Sequence, residues 1–403
     1  MPRALFAASN AWDSPFRVGS HHLADGLLKR GWEVAFVSNP ISPFHVLGGL
    51  SKQLRDRFRI YRSGGVFREG GSLWTYVPAT VVPPQNRAGV ENRWVQCHWQ
   101  QLTWPPVIKR IRDRGFGKVD LLYFDSVVQG FWLQHLSAEA TVLRIADRSS
   151  GFSTFGDVSA AAEANLARSV DAVVYSGRTL EPYVRGLLPK RMVYLPNGVD
   201  FEHFQQYSQD SPPEYVDLPR PILVYVGAIS DWFDFDAVRA IARSFESASL
   251  VLIGPEGLAR KRLEGISNLH ILGARPYESL PGYLHHADIG LIPFDVIGHG
   301  ELVHSVHPLK LYEYLASGLP VVAAAWQELR ELGAPIMLAE RADDYPGAIR
   351  KTLEGPVDKD RLRSFARRND WSQRTQVLLR IAGLSATGRQ EGESEEPGQT
   401  AEG

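Results

Sequence analysis

Residues 307–324 read HPLKLYEYLASGLPVVAA and place a histidine, a lysine and a glutamate at helical spacing. Pro308 suits the first turn of a helix, where its missing N–H costs nothing. Gly318 is a natural left-handed terminator. The pattern predicts a helix from Pro308 to Ser317, with Leu311, Leu315 and Leu319 turned to the core. Lys310 and Glu313, at i and i+3, then share a face. A helix start offers free N–H groups and the positive end of the dipole. With a lysine added, residues Pro308, Leu309 and Lys310 make a diphosphate site. Glu313, one turn further in, could accept hydrogen bonds from the two hydroxyls of a ribose. The same spacing is also that of a salt pair on a solvated face, and both readings stay open.

The elements that must position this helix are short buried strands alternating with helices. Ala4 to Ala8 reads as a strand, Ser9 to Gly19 as a polar loop, the stretch after it as a helix with Leu23, Leu27 and Leu28 on one face that stops at Lys29, Arg30 and Gly31, and Glu33 to Ser38 as a second strand. The motif recurs in LLYFD ending at Asp125, TVLRIAD at Asp147, AVVYS at Ser176 and MVYLPN at Asn197. Residues 201–220, with Pro212, Pro213 and Pro219, read as a linker. A second series follows: ILVYVGAIS (222–230), LVLIGP (250–255), LHILG (269–273), IGLIPF (289–294) and PVVAAA (320–325). The expectation is an α/β chain with two parallel-sheet domains facing a cleft, and ligands bind beyond the carboxyl ends of such strands. Glycosyltransferases, sugar-nucleotide epimerases, periplasmic binding proteins and two-domain dehydrogenases use this plan. The first β–α loop, SNAWDSPFRVGS, has no G-x-G-x-x-G, which argues against a dinucleotide there.

Composition narrows the classes. The 403 residues are 44% hydrophobic and 22% charged, which excludes a disordered chain and a coiled coil. Cys97 is the only cysteine, so no internal disulfide and no Cys-based metal centre fits. The N-terminal apolar run is too short for a signal peptide, and no stretch reaches 18 apolar residues. The chain reads as cytoplasmic. Residues 1–200 hold 24 Lys and Arg against 16 Asp and Glu, a balance of +8; residues 201–403 hold 20 against 29, a balance of −9. The basic half is interleaved with Phe58, Tyr61, Trp74, Trp94, Trp99 and Trp104. It suits peripheral contact with an anionic membrane on the inner face, or an ordinary solvated face with its tryptophans in the core. No nucleic-acid-binding motif matches.

The run Lys-Leu-x-Glu-Tyr-Leu-Ala-x-Gly-Leu-Pro-Val-Val resembles the donor-site helix of GT-B glycosyltransferases, especially the family 4 group. GSHHLADGLLKRGWEV (19–34), LPNGVDFEHF (195–204), YVGAISDWFDFDAV (225–238) and LHILGARPYESLPGYLHHADIGLIPF (269–294) are similar to that group, in the expected order. RRNDWSQRTQVLL (367–379) is similar to its terminal helix. The resemblance implies two Rossmann-like domains. Residues 1–200 would bind the acceptor and 221–365 the nucleotide-sugar. Residues 366–383 would cross back to the first domain, and 384–403 would be a disordered acidic tail. It implies that Lys310 contacts the donor phosphates, Glu313 holds the ribose, and Arg275 and Tyr277 lie near the base. Gly227 would let the backbone approach the diphosphate, and His307 would assist the phosphates, as would His304.

Two departures matter. Many retaining family 4 enzymes carry a glutamate eight positions before the one matching Glu313; here Ser305 stands there. The usual Arg and Lys after the first strand of the second domain are replaced by GAISDWFD. The pattern is closer to the branch resembling xanthan-type glucuronosyltransferases, which invert. Inversion needs a carboxylate base in the acceptor domain, and Asp147 fits by position, with Asp157 and Asp125 behind it. An N-cap or a contact with Arg148 is the alternative role for Asp147. Asp231 and Asp234 read as helix caps, and Asp234-Phe235-Asp236 as a coincidental D-x-D. His21 and His22 sit where the first helix could bring them to the cleft. His299, His304 and His307 make a weak metal pattern, and no bound metal or cofactor is expected. The expected reaction moves a hexosyl or glycuronosyl unit from a UDP-sugar to a glycan or lipid-linked saccharide, in cell-surface polysaccharide synthesis. The rivals are a sugar-nucleotide 2-epimerase and a catalytically degenerate binding subunit.

Overall fold

Among the described residues fourteen short strands, most of them continuously buried, form two sheets. The computed structural model describes residues 1–48, 51–84, 93–148, 156–207 and 209–385. In the first half β1 is Arg3–Ala8, β2 Glu33–Ser38, β3 Val66–Arg68, β4 Leu73–Tyr76, β5 Lys118–Phe124, β6 Ser137–Ile145, β7 Ala172–Tyr175 and β8 Met192–Tyr194. They pair in the order β3-β4-β2-β1-β5-β6-β7-β8. Only the β3–β4 pair is antiparallel. In the second half β9 is Ile222–Val226, β10 Ser249–Ile253, β11 Leu269–Ile271, β12 Ile289–Ile292, β13 Val321–Ala324 and β14 Met337–Ala339. Their order is β11-β10-β9-β12-β13-β14, parallel throughout. Helices cover both faces, which is why these strands read as apolar runs rather than alternating ones.

Strand order reverses beside β1 in the first sheet and beside β9 in the second. Those are the switch points where such sheets leave a crevice, and the chain leaves β1 and β9 by loops that enter the cleft. Residues 201–220 are more than a bare connection. They form a helix, Phe201–Gln205, capped by the Asp200 side chain, and a turn at Pro213–Tyr215. Phe201, Phe204 and Tyr215 are buried in the core of the second half.

The last helix, Trp371–Ile381, returns to the first half and packs on the helix Gly19–Leu28. Trp371, Leu378, Leu379 and Ile381 share a buried cluster with Leu23, Ala24 and Leu27. Contact is close enough that a Cβ at Gly26 would fall 2.0 Å from Thr375 Oγ1. A side chain there would hold the two helices apart. Leu384 closes this cluster, and the remainder of the acidic tail lies outside the described residues.

Of the aromatics in the basic half, Trp74 and Trp99 are core residues, and Phe58 and Tyr61 are partly buried. Trp94 and Trp104 remain 53% and 77% exposed, so only these two tryptophans could reach a surface partner. Part of the basic stretch from Arg87 lies outside the described residues.

Candidate active site

The helix predicted at 308–317 runs Leu309–Ala316, with Pro308 at its N-cap. It ends at Gly318 with φ +73°, whose N–H bonds to Leu315 O while that of Leu319 bonds to Tyr314 O. This is the six-to-one closure that a left-handed residue permits. Leu311, Tyr312, Tyr314 and Leu315 are buried and fix the helix against the second core. Its opposite side looks into a cavity of about 390 Å³ between the two sheets.

Asp147, Gly227, Arg275, Tyr277, His307, Leu309, Lys310 and Glu313 all line this cavity. The first sheet supplies Asp147, just beyond β6, and the loop Pro15–Gly19 after β1. The second supplies Gly227 after β9, Gly254 after β10 and Phe294 after β12.

Lys310 and Glu313 do not form a surface salt pair. Among the described residues neither side chain has an ion-pair or hydrogen-bond partner, and both point to the cavity. Lys310 Nζ rests 4.7 Å from the centre of the Phe294 ring and 5.3 Å from that of Tyr225. Burial pulls its pKa down to about 8, against the opposing pull of Glu313. Burial pushes Glu313 up to about 7, opposed by Lys310. Both groups shed water here without gaining a hydrogen-bond or ion-pair partner among the described residues, and two ring faces are what Lys310 meets instead, which costs folding energy. Gly227 permits the approach. Its φ is +148°, and a Cβ there would stand 2.9 Å from Lys310 Cε.

Asp147 also lines the cavity. It caps no described helix, since the next one begins at Asp157 with Gly156 as its cap. Among the described residues it makes no hydrogen bond or ion pair. Burial raises its pKa, and the nearby charge of Arg144 opposes the rise. Asp125 is committed to structure, accepting from Ser9 N (2.5 Å) and from the Ser20 hydroxyl. Asp157 lies in the first turn of its helix, away from the cavity lining.

Other expected roles are altered by what the side chains hold. His307 lines the cavity, yet both ring nitrogens are engaged. Nδ1 bonds to Glu328 Oε1 (3.0 Å) and Nε2 to the Tyr312 hydroxyl (2.7 Å), with the tautomer assigned by the carboxylate. No ring nitrogen is left for a phosphate. The Glu328 carboxylate also accepts from Thr179 N (3.1 Å), tying the two halves together. Arg275 spends its guanidinium on Glu214 (2.7 Å), Tyr283 (3.0 Å) and Leu272 O (2.5 Å). It therefore shapes the wall. The Tyr277 ring stacks on His203 at 4.7 Å. Leu309 turns its side chain to the core of the first half, so only its backbone N–H is offered to the cavity.

His21 and His22 are buried rather than in the cleft, His21 against Trp12 and Phe36 and His22 against Trp371. Asp234 is a helix cap, accepting from Ala237 N (2.8 Å), and Asp236 pairs with Arg239. The D-x-D letters are structural here. Ser305 is buried and donates to Leu302 O (3.0 Å). No group of His, Cys, Asp and Glu among the described residues is arranged to hold a metal ion.

Among the further lining residues are two polar ones to which the sequence reading gave no role of their own, Arg144 and Asn197. Arg144 Nη2 donates to Asn197 Oδ1 (2.5 Å), and Asn197 Nδ2 donates to His307 O (2.6 Å). This chain crosses the cleft to the residue just before the Lys310 helix. The available signal was an arginine inside the apolar strand TVLRIAD.

The halves match two families. Residues 6–176 match the family described as glucuronosyltransferase GumK, N-terminal domain, and residues 220–354 match glycosyl transferases group 1. TuaH of Bacillus subtilis, named as a teichuronic acid biosynthesis glycosyltransferase, is 25% identical over 239 residues. That match spans 55% of this chain and 59% of TuaH. HepE of Anabaena, solved with UDP and glucose, superposes with a TM-score of 0.64 at 14% identity, covering 94% of this chain and 99% of HepE. Sucrose-phosphate synthase of Thermosynechococcus elongatus gives 0.62 at 17%, covering 94% and 96%. The chain thus joins a GumK-type N-terminal domain at 6–176 to a glycosyl transferases group 1 domain at 220–354, on the GT-B fold that its structural neighbours share.

Proposed function

We propose that the chain moves a sugar from a UDP-sugar to a hydroxyl of a glycan or lipid-linked saccharide, with inversion, in cell-surface polysaccharide synthesis. The observation that carries this reading is that one cavity is lined by a carboxylate, Asp147, and by a lysine at a helix start, Lys310, neither with a hydrogen-bond or ion-pair partner among the described residues. The acceptor oxygen attacks the anomeric carbon, and the bond from that carbon to the phosphate oxygen breaks. Asp147 takes the hydroxyl proton as general base. UDP departs with its new charge against Lys310 and the N–H groups of Leu309 and Lys310. These groups do the charge stabilisation, so the reading needs no resident cofactor. Glu313 accepts from the ribose, and Gly227 leaves room for the diphosphate beside Lys310.

UDP in the HepE structures supports the choice of nucleotide, and the teichuronic acid role named for TuaH supports an extracellular polysaccharide product. No described helix is long and apolar enough to cross a membrane. Exposed Trp94 and Trp104 on the basic half support peripheral contact with an anionic bilayer carrying the acceptor. The test is product analysis with a UDP-sugar and a bacterial lipid extract. The reading expects UDP and a glycosylated lipid of inverted anomeric configuration, absent in Asp147→Asn. An epimerised nucleotide sugar formed without acceptor would favour the epimerase instead, and a retained anomer would remove the base role of Asp147.

A further inference from the structure

Arg144 is a buried cation without a carboxylate partner among the described residues. It is the last residue but one of β6, 4% exposed, and lines the cavity. Asp125 and Asp147 feel its charge, yet neither pairs with it, and among the described residues it forms no ion pair. Nη2 reaches only the neutral amide of Asn197, and Nη1 has no hydrogen-bond partner. The guanidinium lies against Gly19, the first residue of the helix Gly19–Leu28. A Cβ at Gly19 would stand 2.9 Å from both Cζ and Nη2. A partly buried arginine, Arg374, is near enough to be affected by it. A buried guanidinium normally finds a carboxylate, because leaving it unpaired costs more than replacing it with an apolar side chain. The other neighbours of Arg144 are neutral, the Asn197 amide and the Trp371 ring 5.9 Å away, and neither offsets the buried charge as a carboxylate would. The loop after β9 also lacks the cations expected there, so the second half meets the donor with Lys310 alone.

We propose that Arg144 is an anion-binding residue of the transfer site, holding an oxyanion of the donor from the acceptor side of the cavity beside Gly19. The inference rests on the nucleotide-sugar reading above. Two donor groups share this chemistry: the diphosphate, and a carboxylate on the transferred sugar. The planar fork suits either one. Bound in this way, the donor spans both halves, with Lys310 on one side and Arg144 on the other, and its charge helps hold the cleft closed.

Isothermal titration of the full chain with UDP, UDP-glucose and UDP-glucuronate, using wild type, Arg144→Met and Arg144→Lys, tests this. Arg144→Met should keep or raise the melting temperature of the unliganded protein and bind about 10–100-fold more weakly, the loss of one charge-assisted contact. An equal loss for all three ligands assigns the diphosphate; a loss confined to UDP-glucuronate assigns the carboxylate. A purely structural arginine predicts the reverse, a lower melting temperature with unchanged affinities, and that result overturns the proposal. If Arg144→Met does not fold, Arg144→Lys decides. It should fold and bind several-fold more weakly, because an ammonium lacks the fork, and wild-type affinity there also overturns the proposal. Lys310→Ala separates the two levels of the argument. Wild type that binds none of the ligands refutes the donor reading itself. Binding that is lost in Lys310→Ala yet intact in both Arg144 variants refutes only this inference.

Discussion

Replacing Lys310 by methionine should stabilise the empty protein and weaken UDP binding, a combination that a surface lysine would not produce. Burial lowers the Lys310 pKa from 10.5 to about 8. Below pH 8 the group is protonated both folded and unfolded, so the folded state carries the whole cost of the buried charge. Between about 8 and 10.5 the unfolded chain binds the extra proton, and stability rises with pH. At 1.36 kcal/mol per unit the cost near pH 7 is about 3 kcal/mol. Methionine keeps the stem against Tyr225 and Phe294 and removes that cost. The unfolding transition of the second half should therefore rise by several degrees at pH 7. The gain should vanish toward pH 10. UDP at about 100 times its wild-type dissociation constant adds about 2.7 kcal/mol to wild type. Loss of a charge-assisted contact worth about 1.5–3 kcal/mol would cut that increment to about 0.3–1.3 kcal/mol. Thermal unfolding with and without UDP reads both effects. A lower melting temperature with an undiminished UDP shift would refute the reasoning, because it would make Lys310 a structural group.

Glu313→Gln should act in the same direction on stability. Its folded pKa of about 7 lies above the ordinary 4.5, so the folded state binds the extra proton between those values. Wild type loses stability as pH rises from about 4.5 to 7. Denaturant midpoints across that range should fall for wild type and stay flatter for the variant. Asp147→Asn should bind UDP normally and lose transfer by about 10²-fold or more, read by comparing titration with turnover. Transfer in wild type should rise with pH through the raised Asp147 pKa and be flat there in any residual activity of the variant. Gly227→Ala places a methyl 2.9 Å from Lys310 Cε at a φ of +148°, so calorimetry should find UDP affinity down about 10-fold or more, at an energy cost of about 1–3 kcal/mol. Trp94→Ala combined with Trp104→Ala should reduce co-sedimentation with phosphatidylglycerol vesicles and leave UDP binding unchanged.

The donor helix was legible because its signals are local. Proline at the start, glycine at the end and leucines at helical spacing fix the face that carries Lys310 and Glu313. The two parallel sheets were legible for the same reason, as each long buried strand announces itself. Val66–Arg68 and Met337–Ala339 escaped notice as partly buried strands at the sheet edges, and Leu73–Tyr76 because Thr75 interrupts its short apolar run; their pairing is decided by neighbours far along the chain. Residues 201–220 looked like a linker on account of their prolines, although Phe201, Phe204 and Tyr215 are anchored in the second core. Side-chain commitments were the least legible. Nothing local in the sequence tells that His307 is held by Glu328 and Tyr312, that Arg275 is held by Glu214, or that Arg144 is held by no carboxylate. Those facts depend on partners 5 to 61 residues away or on the absence of any.

The account stands most directly on one measurement, the rate of UDP release from a UDP-sugar in the presence of lipid-linked acceptor, wild type against Asp147→Asn. The expected result is acceptor-dependent release by wild type and at least a 10²-fold slower rate in the variant, at unchanged UDP affinity. Equal rates in the two proteins would contradict the claim that the carboxylate facing Lys310 across the cavity is the base of the transfer.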